Sequence, residues 1–321
     1  MKQNKPILSI VMPVYNRADY LRESLESILN QSFSDFEFII IDDGSSDGSV
    51  EIIQSYKDER INLFVNSENK GIVYSRNRGL KEAEGKYTAM FDSDDIALPD
   101  KFEKQTDFLE KHPDYAMCGT WVKWIDENGQ LTGEKWKLPA PPEKIPAIML
   151  FRNYFVQPTV VIRREAIPEG GYSEGFDIVE DSKMWFDVSL KHKVANLPEY
   201  LLHYRVHSGN VSNRSEKHIR NSKKFIAYQL GKLNIRASDE ELDLHLKLKG
   251  SEKITSLNEL DNYEKWMLKI LRANDSVNLY DKKILRKVVF NRWLKVCYKA
   301  RALHLLMFAK FIKSPLSRLF V

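Results

Sequence analysis

The first third of the chain alternates short apolar runs with longer stretches whose apolar residues recur at helical spacing. The apolar runs are nearly continuous, which is typical of strands buried on both faces of a parallel sheet. Strands are predicted at residues 7–12, 36–41, 61–65 and 87–91, with helices between them at 17–30, 49–56 and 71–84. This alternation predicts an α/β fold with a doubly wound, mostly parallel sheet.

Beyond residue 112 the pattern is less regular. The sequence predicts strands at 115–125, 159–163 and 201–206, a turn at 126–129, and helices at 100–111 and 180–191. From about Ser215 the pattern is helical to the end, with breaks near Ser238, Ser251 and Asp275. We therefore expect an α/β domain over residues 1–213 and a helical C-terminal region over residues 214–321.

Length and composition are those of a globular protein with a substantial core. The chain has 321 residues, of which 43% are hydrophobic and 29% are charged. Its two cysteines, Cys118 and Cys297, are far apart, which argues against a disulfide framework and for a reducing compartment. The sequence has no apolar signal segment and no apolar run of about 18 residues. We therefore expect a cytoplasmic protein without a transmembrane helix.

Charge is distributed unevenly along the chain. Residues 281–321 carry a net charge of +10, which leaves −6 for residues 1–280 out of the total of +4. Over residues 282–321 basic and apolar positions are interleaved, as in helices that lie in a membrane interface. We expect this tail to hold the protein on the inner face of the cell membrane. The simpler interpretation is a helical tail that packs its apolar stripe on the catalytic domain or on a second subunit, and nucleic acid is not an expected partner.

The acidic stretch Phe91–Asp95 directly follows the fourth predicted strand. Ligands of open α/β sheets gather at the carboxyl ends of the strands. Asp92 and Asp94 are two residues apart, so on extended backbone both side chains can face one cation. Such hard oxygen ligands suit Mn²⁺ or Mg²⁺, which often bridge carboxylates to phosphates. The simpler interpretation is a solvated acidic turn.

Polar residues also follow the first two strands and lie in the third helix. After the first strand, Tyr15 could stack on a flat base and Asn16 could bind its edge. After the second, Asp43 could accept hydrogen bonds from a uracil imide or a ribose hydroxyl, although an Asx turn is an equally good interpretation. Arg76 could face a nucleotide or lie on a solvated basic face.

Two more candidates lie later in the chain. Glu180 and Asp181 open a predicted helix, where acids are favoured by the helix dipole. The functional interpretation is a general base that takes the proton of a sugar hydroxyl. His207 follows a strand and could offer an imidazole to Mn²⁺, although a single histidine is more often a structural hydrogen-bonding group.

Taken in order, these segments resemble the family 2 glycosyltransferases of the GT-A fold. The likeness covers roughly residues 6–213, and its specificity comes from the order of the motifs. The matching segments are 9–16, 31–33, 41–47, 69–71, 75–79, 92–95, 180–181 and 204–207. The resemblance implies an inverting transferase that uses a divalent metal and a nucleotide-diphosphate sugar, with a UDP-sugar expected.

The resemblance also implies a role for each matched residue. The nucleotide would be held by Pro13, Tyr15, Asn16, Asp43, Arg76 and Asp92. Asp94 would contact the metal directly, with Asp92 and His207 assisting. Asp181 would be the catalytic base, with Glu180 beside it. The acceptor would be a saccharide or a lipid-linked sugar in surface polysaccharide synthesis.

Signatures of other nucleotide-binding classes are missing. Without a Gly-x-Gly-x-x-Gly segment or a phosphate loop ending in Gly-Lys-Ser or Gly-Lys-Thr, a dinucleotide dehydrogenase or an ordinary NTPase is not indicated. A sugar-nucleotide pyrophosphorylase would need a glycine-rich loop after the first strand, where residues 12–16 offer none. A non-catalytic nucleotide-sugar-binding or RNA-binding protein is the remaining alternative, and intact Asp94 and Asp181 count against it.

Overall fold

A computed structural model describes residues 5–209, 216–248, 250 and 253–320. The chain separates into two compact units. The first unit comprises Met1–Pro142 and Tyr154–Asn213, and the second comprises Glu143–Asn153 and Arg214–Val321.

The elements, in chain order, begin with the alternation that the apolar pattern predicts. They are β1 (Leu8–Val14), α1 (Ala18–Leu29), β2 (Phe36–Asp42), α2 (Ser49–Ser55), β3 (Ile61–Val65), α3 (Ile72–Glu82), β4 (Tyr87–Met90), β5 (Ile96–Ala97), α4 (Lys101–Lys111), β6 (Tyr115–Ile125), β7 (Leu131–Trp136), α5 (Ile145–Met149), β8 (Val161–Arg163), α6 (Glu180–Lys191), β9 (Lys193–Arg205), α7 (Glu216–Gly231), α8 (Asp239–Lys247), α9 (Leu257–Val277), α10 (Lys282–Lys299) and α11 (His304–Lys313). All strands belong to the first unit, together with α1 to α4 and α6.

One sheet in the described chain contains the strands in the order β3-β2-β1-β4-β8-β6-β9-β5, with β7 paired to β6. The first four of these run parallel, with Val14 opposite Asp42 and Val11 opposite Met90. Their carboxyl ends therefore lie along one edge, where ligands of such sheets bind. Beyond β4 the directions mix, since β8 is antiparallel to both β4 and β6 while β6 and β9 are parallel. The predicted α/β class with a doubly wound sheet is confirmed.

Helix α3 packs closely on β1 and β2. A Cβ atom at Gly79 would lie 2.3 Å from Cγ1 of Val11, so only glycine allows the helix to approach the strand this closely. The glycine that ends the segment 75–79 thus has a packing role. It fixes the position of Arg76, one turn earlier, relative to the strand ends.

Strand β9 is longer than the predicted strand at 201–206 because it continues through a proline. The pairing of β9 with β6 skips from Leu197 to Tyr200, which places Pro198 in an irregularity of the ladder. A proline there does not remove a ladder hydrogen bond. Sequence analysis also predicted only the turn before β7 and not the strand itself.

The second unit is helical and takes in a segment from the middle of the chain. The residues 143–153, which the predicted boundary at 213 placed with the α/β domain, group with the C-terminal helices. The buried His245 donates from Nε2 to the carbonyl oxygen of Leu150 at 2.8 Å. Gln229 donates to the carbonyl oxygen of Met149 at 2.8 Å. None of the helices in the described ranges is long and apolar enough to cross a membrane.

Candidate active site

The loops after β1 and β2 hold each other through polar groups. Asn16 has φ 50°, its side-chain oxygen accepts from the N–H of Ser46 at 2.9 Å, and its own N–H donates to Oγ of Ser45 at 2.9 Å. Asp42 accepts from the N–H groups of Gly44 and Ser45, so it forms the Asx turn. The side-chain oxygen of Asn16 thus orders the loop.

Tyr15 and Pro13 differ in how they face solvent. The side chain of Tyr15 is 43% exposed, which leaves its ring accessible to a flat base. Pro13 is buried within β1, opposite Ile41 of β2. The predicted nucleoside contact is therefore open at Tyr15, whereas Pro13 lies inside the sheet.

Asp43 is buried at the carboxyl end of β2, with 3% of its surface exposed. Its Oδ1 accepts from Nδ2 of Asn66 at 2.7 Å and from the N–H of Lys70 at 3.0 Å, and its Oδ2 accepts from the N–H of Gly71 at 2.8 Å. Asp43 therefore ties the end of β2 to the loop that leads into α3. Both of its oxygens are already used within the protein.

Arg76 is the centre of a buried cluster of charges, which we call the Arg76 cluster: Arg76, Asp92, Glu180 and Asp181. The guanidinium donates from Nη1 to Glu180 and from Nη2 to Oδ1 of Asp92 at 2.9 Å. Arg76 is only 6% exposed, and its guanidinium lies 5.5 Å from the ring centre of Tyr172. This burial excludes a solvated basic face for Arg76. The cluster joins α3, the loop after β4 and the start of α6.

A second side chain of α3 fixes the loop that precedes α6. Asn77 accepts from the N–H of Tyr172 at 2.7 Å and donates to its carbonyl oxygen at 2.8 Å. Nearer the helix, Ile178 has φ 72°, a left-handed conformation that is strained for a β-branched residue. The turn that delivers Glu180 and Asp181 is thus held at one end and strained at the other.

Three carboxylates in this cluster share one cation, and their pKa values reflect it. Burial raises the pKa of Glu180 to about 7, against the attraction of Arg76. Burial also raises the pKa of Asp181 and of Asp92, again against Arg76. For Arg76 itself burial acts downward, but Asp92 and Glu180 raise its pKa, so it stays charged. One guanidinium cannot neutralise three carboxylates, and the cluster therefore holds a proton more readily than ordinary carboxyl groups do.

Asp94 is the centre of a second set of contacts, which we call the Asp94 cluster: Asp94, Arg17, His207 and Tyr20. Oδ2 of Asp94 lies 3.0 Å from Nε2 of His207 and 3.4 Å from Nε of Arg17. The N–H of Gly209 donates to Nδ1 of His207 at 3.1 Å, so the neutral ring carries its proton on Nε2 and donates it to Asp94. The ring of Tyr20 lies 4.7 Å from that of His207.

A buried arginine that sequence analysis left without a role holds the acidic loop. Arg205 is 1% exposed, and its Nε donates to the carbonyl oxygen of Asp94 at 2.8 Å. Its N–H donates to Oδ1 of Asp95 at 2.8 Å, and its guanidinium also pairs with Glu23. The sequence signal for this role was the position of Arg205 in the matching segment 204–207, two residues before His207.

Asp92 and Asp94 offer the hard oxygens that Mn²⁺ or Mg²⁺ prefers. Asp92 uses Oδ1 for Arg76 and Asp94 uses Oδ2 for His207, so the second oxygen of each carboxylate fits a cation. His207 fits less well, because Nε2 carries the proton that Asp94 accepts. Within the described part of the chain, no three His, Cys, Asp or Glu side chains are grouped to hold a metal ion.

A doubly wound sheet whose carboxyl edge carries an Asp-x-Asp pair beside a Glu-Asp pair defines a glycosyltransferase of the GT-A type. The chain belongs to glycosyl transferase family 2, whose model matches residues 9–171. This confirms the resemblance found in the sequence and makes the protein a transferase enzyme.

Relatives agree with this assignment. An uncharacterised glycosyltransferase of Haemophilus influenzae is 31% identical over 280 residues, which cover 84% of this chain and 85% of the relative. TuaG of Bacillus subtilis, a candidate teichuronic acid biosynthesis glycosyltransferase, is 44% identical over 107 residues, which cover 33% of this chain and 42% of TuaG.

Solved structures show the same fold. S. aureus TarS 1–349 in complex with UDP-GlcNAc superposes with a TM-score of 0.59 at 19% identity, covering 95% of this chain and 91% of that one. The mannosyltransferase PcManGT of Pyrobaculum calidifontis, in complex with GDP-Man and Mn²⁺, gives a TM-score of 0.55 at 14% identity, covering 98% and 86%.

Proposed function

We propose that the first unit transfers a sugar from a nucleotide-diphosphate donor, a UDP-sugar in the first instance, to a hydroxyl with inversion at the anomeric carbon. The observation that carries the proposal is the Arg76 cluster, which joins the Asp-x-Asp loop to the Glu-Asp pair through one buried guanidinium. The nucleotide-binding and the proton-accepting parts of a transferase are thereby held together at the carboxyl edge of the sheet.

Asp181 acts as the general base in this proposal. The acceptor hydroxyl oxygen attacks the anomeric carbon, its proton passes to Asp181, and the bond to the diphosphate oxygen breaks with the electron pair leaving on the nucleotide. A single displacement of this kind inverts the centre and needs no covalent intermediate. The raised pKa of Asp181 suits the role, because a base works best when its pKa approaches the working pH.

The other residues of the site bind and orient the donor. Tyr15 stacks on the base, while Asp43, Asn16 and Arg76 order the pocket that receives the nucleoside. A divalent metal held by Asp94 and Asp92 would supply the charge that the leaving diphosphate requires. Support for a metal comes from the chemistry of the two carboxylates and from the Mn²⁺ in the mannosyltransferase with the same fold.

Support for the donor and the pathway comes from the comparisons. TarS was solved with UDP-GlcNAc, which favours a UDP-sugar, although PcManGT was solved with GDP-Man. The assignment of TuaG to teichuronic acid biosynthesis favours a role in surface polysaccharide synthesis. We infer further that the basic tail, residues 282–321, brings the enzyme to the inner face of the membrane, where a lipid-linked acceptor would be met.

The test is nucleotide release from a panel of UDP-, GDP- and dTDP-sugars with Mn²⁺ or Mg²⁺. We expect release from one UDP-sugar, stimulated by a saccharide acceptor. The matched control is Asp181→Asn. It should bind the same nucleotide sugar but form free nucleotide from it far more slowly. Equal release by both proteins would contradict the role of Asp181, and pyrophosphate-dependent synthesis of a sugar nucleotide would favour a pyrophosphorylase.

A further inference from the structure

The two basic helices α10 and α11 differ in whether their apolar residues are buried. Helix α10 buries Leu285, Val289, Trp293 and other apolar side chains within the second unit. Helix α11 buries none of its residues. Packing within the second unit therefore accounts for the apolar residues of α10 but not for those of α11.

Helix α11 presents a continuous apolar face to solvent. Leu305 is 82% exposed, Phe308 is 58% exposed and Ile312 is 57% exposed. These residues are spaced i, i+3 and i+7, so they lie along one side of the helix. Leu306, next to them, is also 58% exposed. An apolar strip of this kind on a surface marks an interaction site.

Polar contacts hold the helix so that this face points outward. Lys310 pairs with Asp261 at 2.7 Å and also with Glu264, both on α9. Just beyond the helix, Oγ of Ser317 accepts from Nε1 of Trp293 at 3.1 Å. The outward face is thus a fixed feature of the second unit.

A cationic cleft lies at the start of the same helix. It measures about 370 Å³ and is lined by Lys253, Lys299, Arg301, Ala302 and His304. Arg301 is anchored by a hydrogen bond to the carbonyl oxygen of Tyr298, whose own ring is 67% exposed. From residue 299 to the end of the chain there is no Asp or Glu. The cations that border the cleft, Lys253, Lys299 and Arg301, are therefore placed to pair with an anionic group at its rim.

We propose that α11 and this cleft form one lipid-binding site, in which the cleft takes the phosphate of an anionic headgroup while Leu305, Phe308 and Ile312 enter the acyl layer. The arrangement combines the two forces that hold interfacial helices, apolar burial and attraction to anionic lipid. The inference rests on the proposed membrane location of the enzyme and assigns it to particular residues.

Charge also argues against the other occupants. In a symmetric dimer the same patch would face itself, and the cleft, whose lining contains cations and no acid, would meet the same cations of the second copy. Nucleic acid would satisfy the cleft but leave the apolar face in water. An anionic bilayer satisfies both features at once.

The test is co-sedimentation of the full chain with phosphatidylcholine vesicles made with and without phosphatidylglycerol. Wild type should bind only the anionic vesicles. The double variant Leu305→Ser/Phe308→Ser should partition onto these vesicles on the order of tenfold less or weaker still. Each substitution removes the free energy of transferring an apolar side chain from water into the bilayer. Lys253→Gln/Arg301→Gln should lose at least about tenfold through two cations.

Matched controls separate this site from general charge and hydrophobicity. Lys283→Gln/Lys287→Gln removes two exposed cations of α10, and Leu131→Ser removes an exposed leucine of β7; both should keep most of the binding. Equal losses in the control and site variants would overturn the assignment to α11 and its cleft.

No binding by wild type would overturn the membrane location as well, whereas nucleotide release from soluble donors tests transferase activity independently. A concentration-dependent dimer in sedimentation velocity that the α11 variants abolish would assign the face to a second copy instead.

Discussion

The two carboxylates of the Asp-x-Asp segment lie in two clusters that differ in their balance of charge. Asp92 joins the Arg76 cluster, where three acids surround one guanidinium. Asp94 lies in the Asp94 cluster, where a single acid faces a guanidinium and an imidazole. Residues two apart in sequence thus belong to one cluster in which acids outnumber cations and another in which one acid is matched by one guanidinium.

Because of this difference, one loop can contribute both to proton transfer and to diphosphate binding. Burial, together with the excess of carboxylates, raises the pKa values of the acids in the Arg76 cluster, so an ionised carboxylate there takes up a proton more readily. Asp94, flanked by a guanidinium and a proton-donating imidazole, would instead help to hold the metal that neutralises the charge of a diphosphate. We therefore expect proton transfer at Asp181 in the Arg76 cluster and diphosphate binding at Asp94. Asp92, which would help to hold the metal, links the two clusters.

The largest effect should follow from disturbing Asp94. Asp94→Asn, or EDTA added to wild type, should reduce transfer to background, because the leaving diphosphate then lacks its counter-charge. Mn²⁺ or Mg²⁺ should restore the EDTA-treated enzyme but not the variant. The control Asp107→Asn, on the exposed face of α4, should remain active. Full activity in EDTA would remove the metal from the account.

Next in size is Asp181→Asn, which keeps the shape of the side chain but cannot take a proton. Turnover should fall by roughly two to four powers of ten in steady-state assays. Asp187→Asn changes an acid on the same helix that pairs with Lys183, and its turnover should stay close to wild type. Unchanged turnover in Asp181→Asn would mean that Asp181 only favours the start of the helix.

A smaller effect, on stability, should follow from Arg76→Met. Removing the cation leaves buried carboxylates unpaired, which costs on the order of 3–5 kcal/mol in denaturant unfolding. Their folded-state pKa values lie above those of the unfolded chain, so the stability that protonation provides is lost as pH rises. The loss should therefore be greater at about pH 8 than at about pH 6.

The control for that experiment lies two residues away on the same helix. Arg78 bonds to the carbonyl oxygen of Val65 and to the side chain of Asn66. Arg78→Met should therefore cost less and show little change with pH. A pH-independent loss in Arg76→Met would contradict the proposed charge imbalance.

The smallest effect is a shift in the pH profile of turnover. Asp181 must be ionised to accept a proton. Activity should therefore rise as the pH passes through the raised pKa of the interacting pair Glu180 and Asp181. Glu180→Gln removes a neighbouring negative charge and should move this acid limb to lower pH, in a pH–rate profile of turnover. A shift to higher pH would mean that Glu180 helps Asp181 to ionise.

Local pattern was enough to predict the parallel half of the fold and the residues at its edge. Nearly continuous apolar runs marked β1 to β4, and the acids that follow them lie where parallel strands must end. The brace from Arg205 to Asp95 could not be predicted, because its partners are 110 residues apart. The grouping of residues 143–153 with the second unit depends on contacts made by Gln229 and His245, whose partners are 80 and 95 residues away.

The sequence also did not predict which partners the polar side chains of the site would choose for their hydrogen bonds. Asp43 and Asn16 look like free nucleotide ligands by position, yet the structure uses their oxygens to order neighbouring loops. Arg76 looked equally compatible with a solvated face until burial placed it between two carboxylates. Such choices depend on the three-dimensional arrangement of donors, which spacing along the chain does not contain.

Nucleotide affinity distinguishes the roles of Asp94 and Asp181, because only Asp94 should contribute to binding of the diphosphate. UDP binding, or binding of whichever nucleotide the donor panel selects, should be measured by calorimetry with Mn²⁺ for wild type, Asp94→Asn and Asp181→Asn. Asp94→Asn should weaken binding by on the order of tenfold or more, because a charged contact to the diphosphate is lost. Asp181→Asn should bind the nucleotide as wild type does while turning over far more slowly. Collapse of nucleotide affinity in Asp181→Asn, or full affinity in Asp94→Asn, would contradict this division.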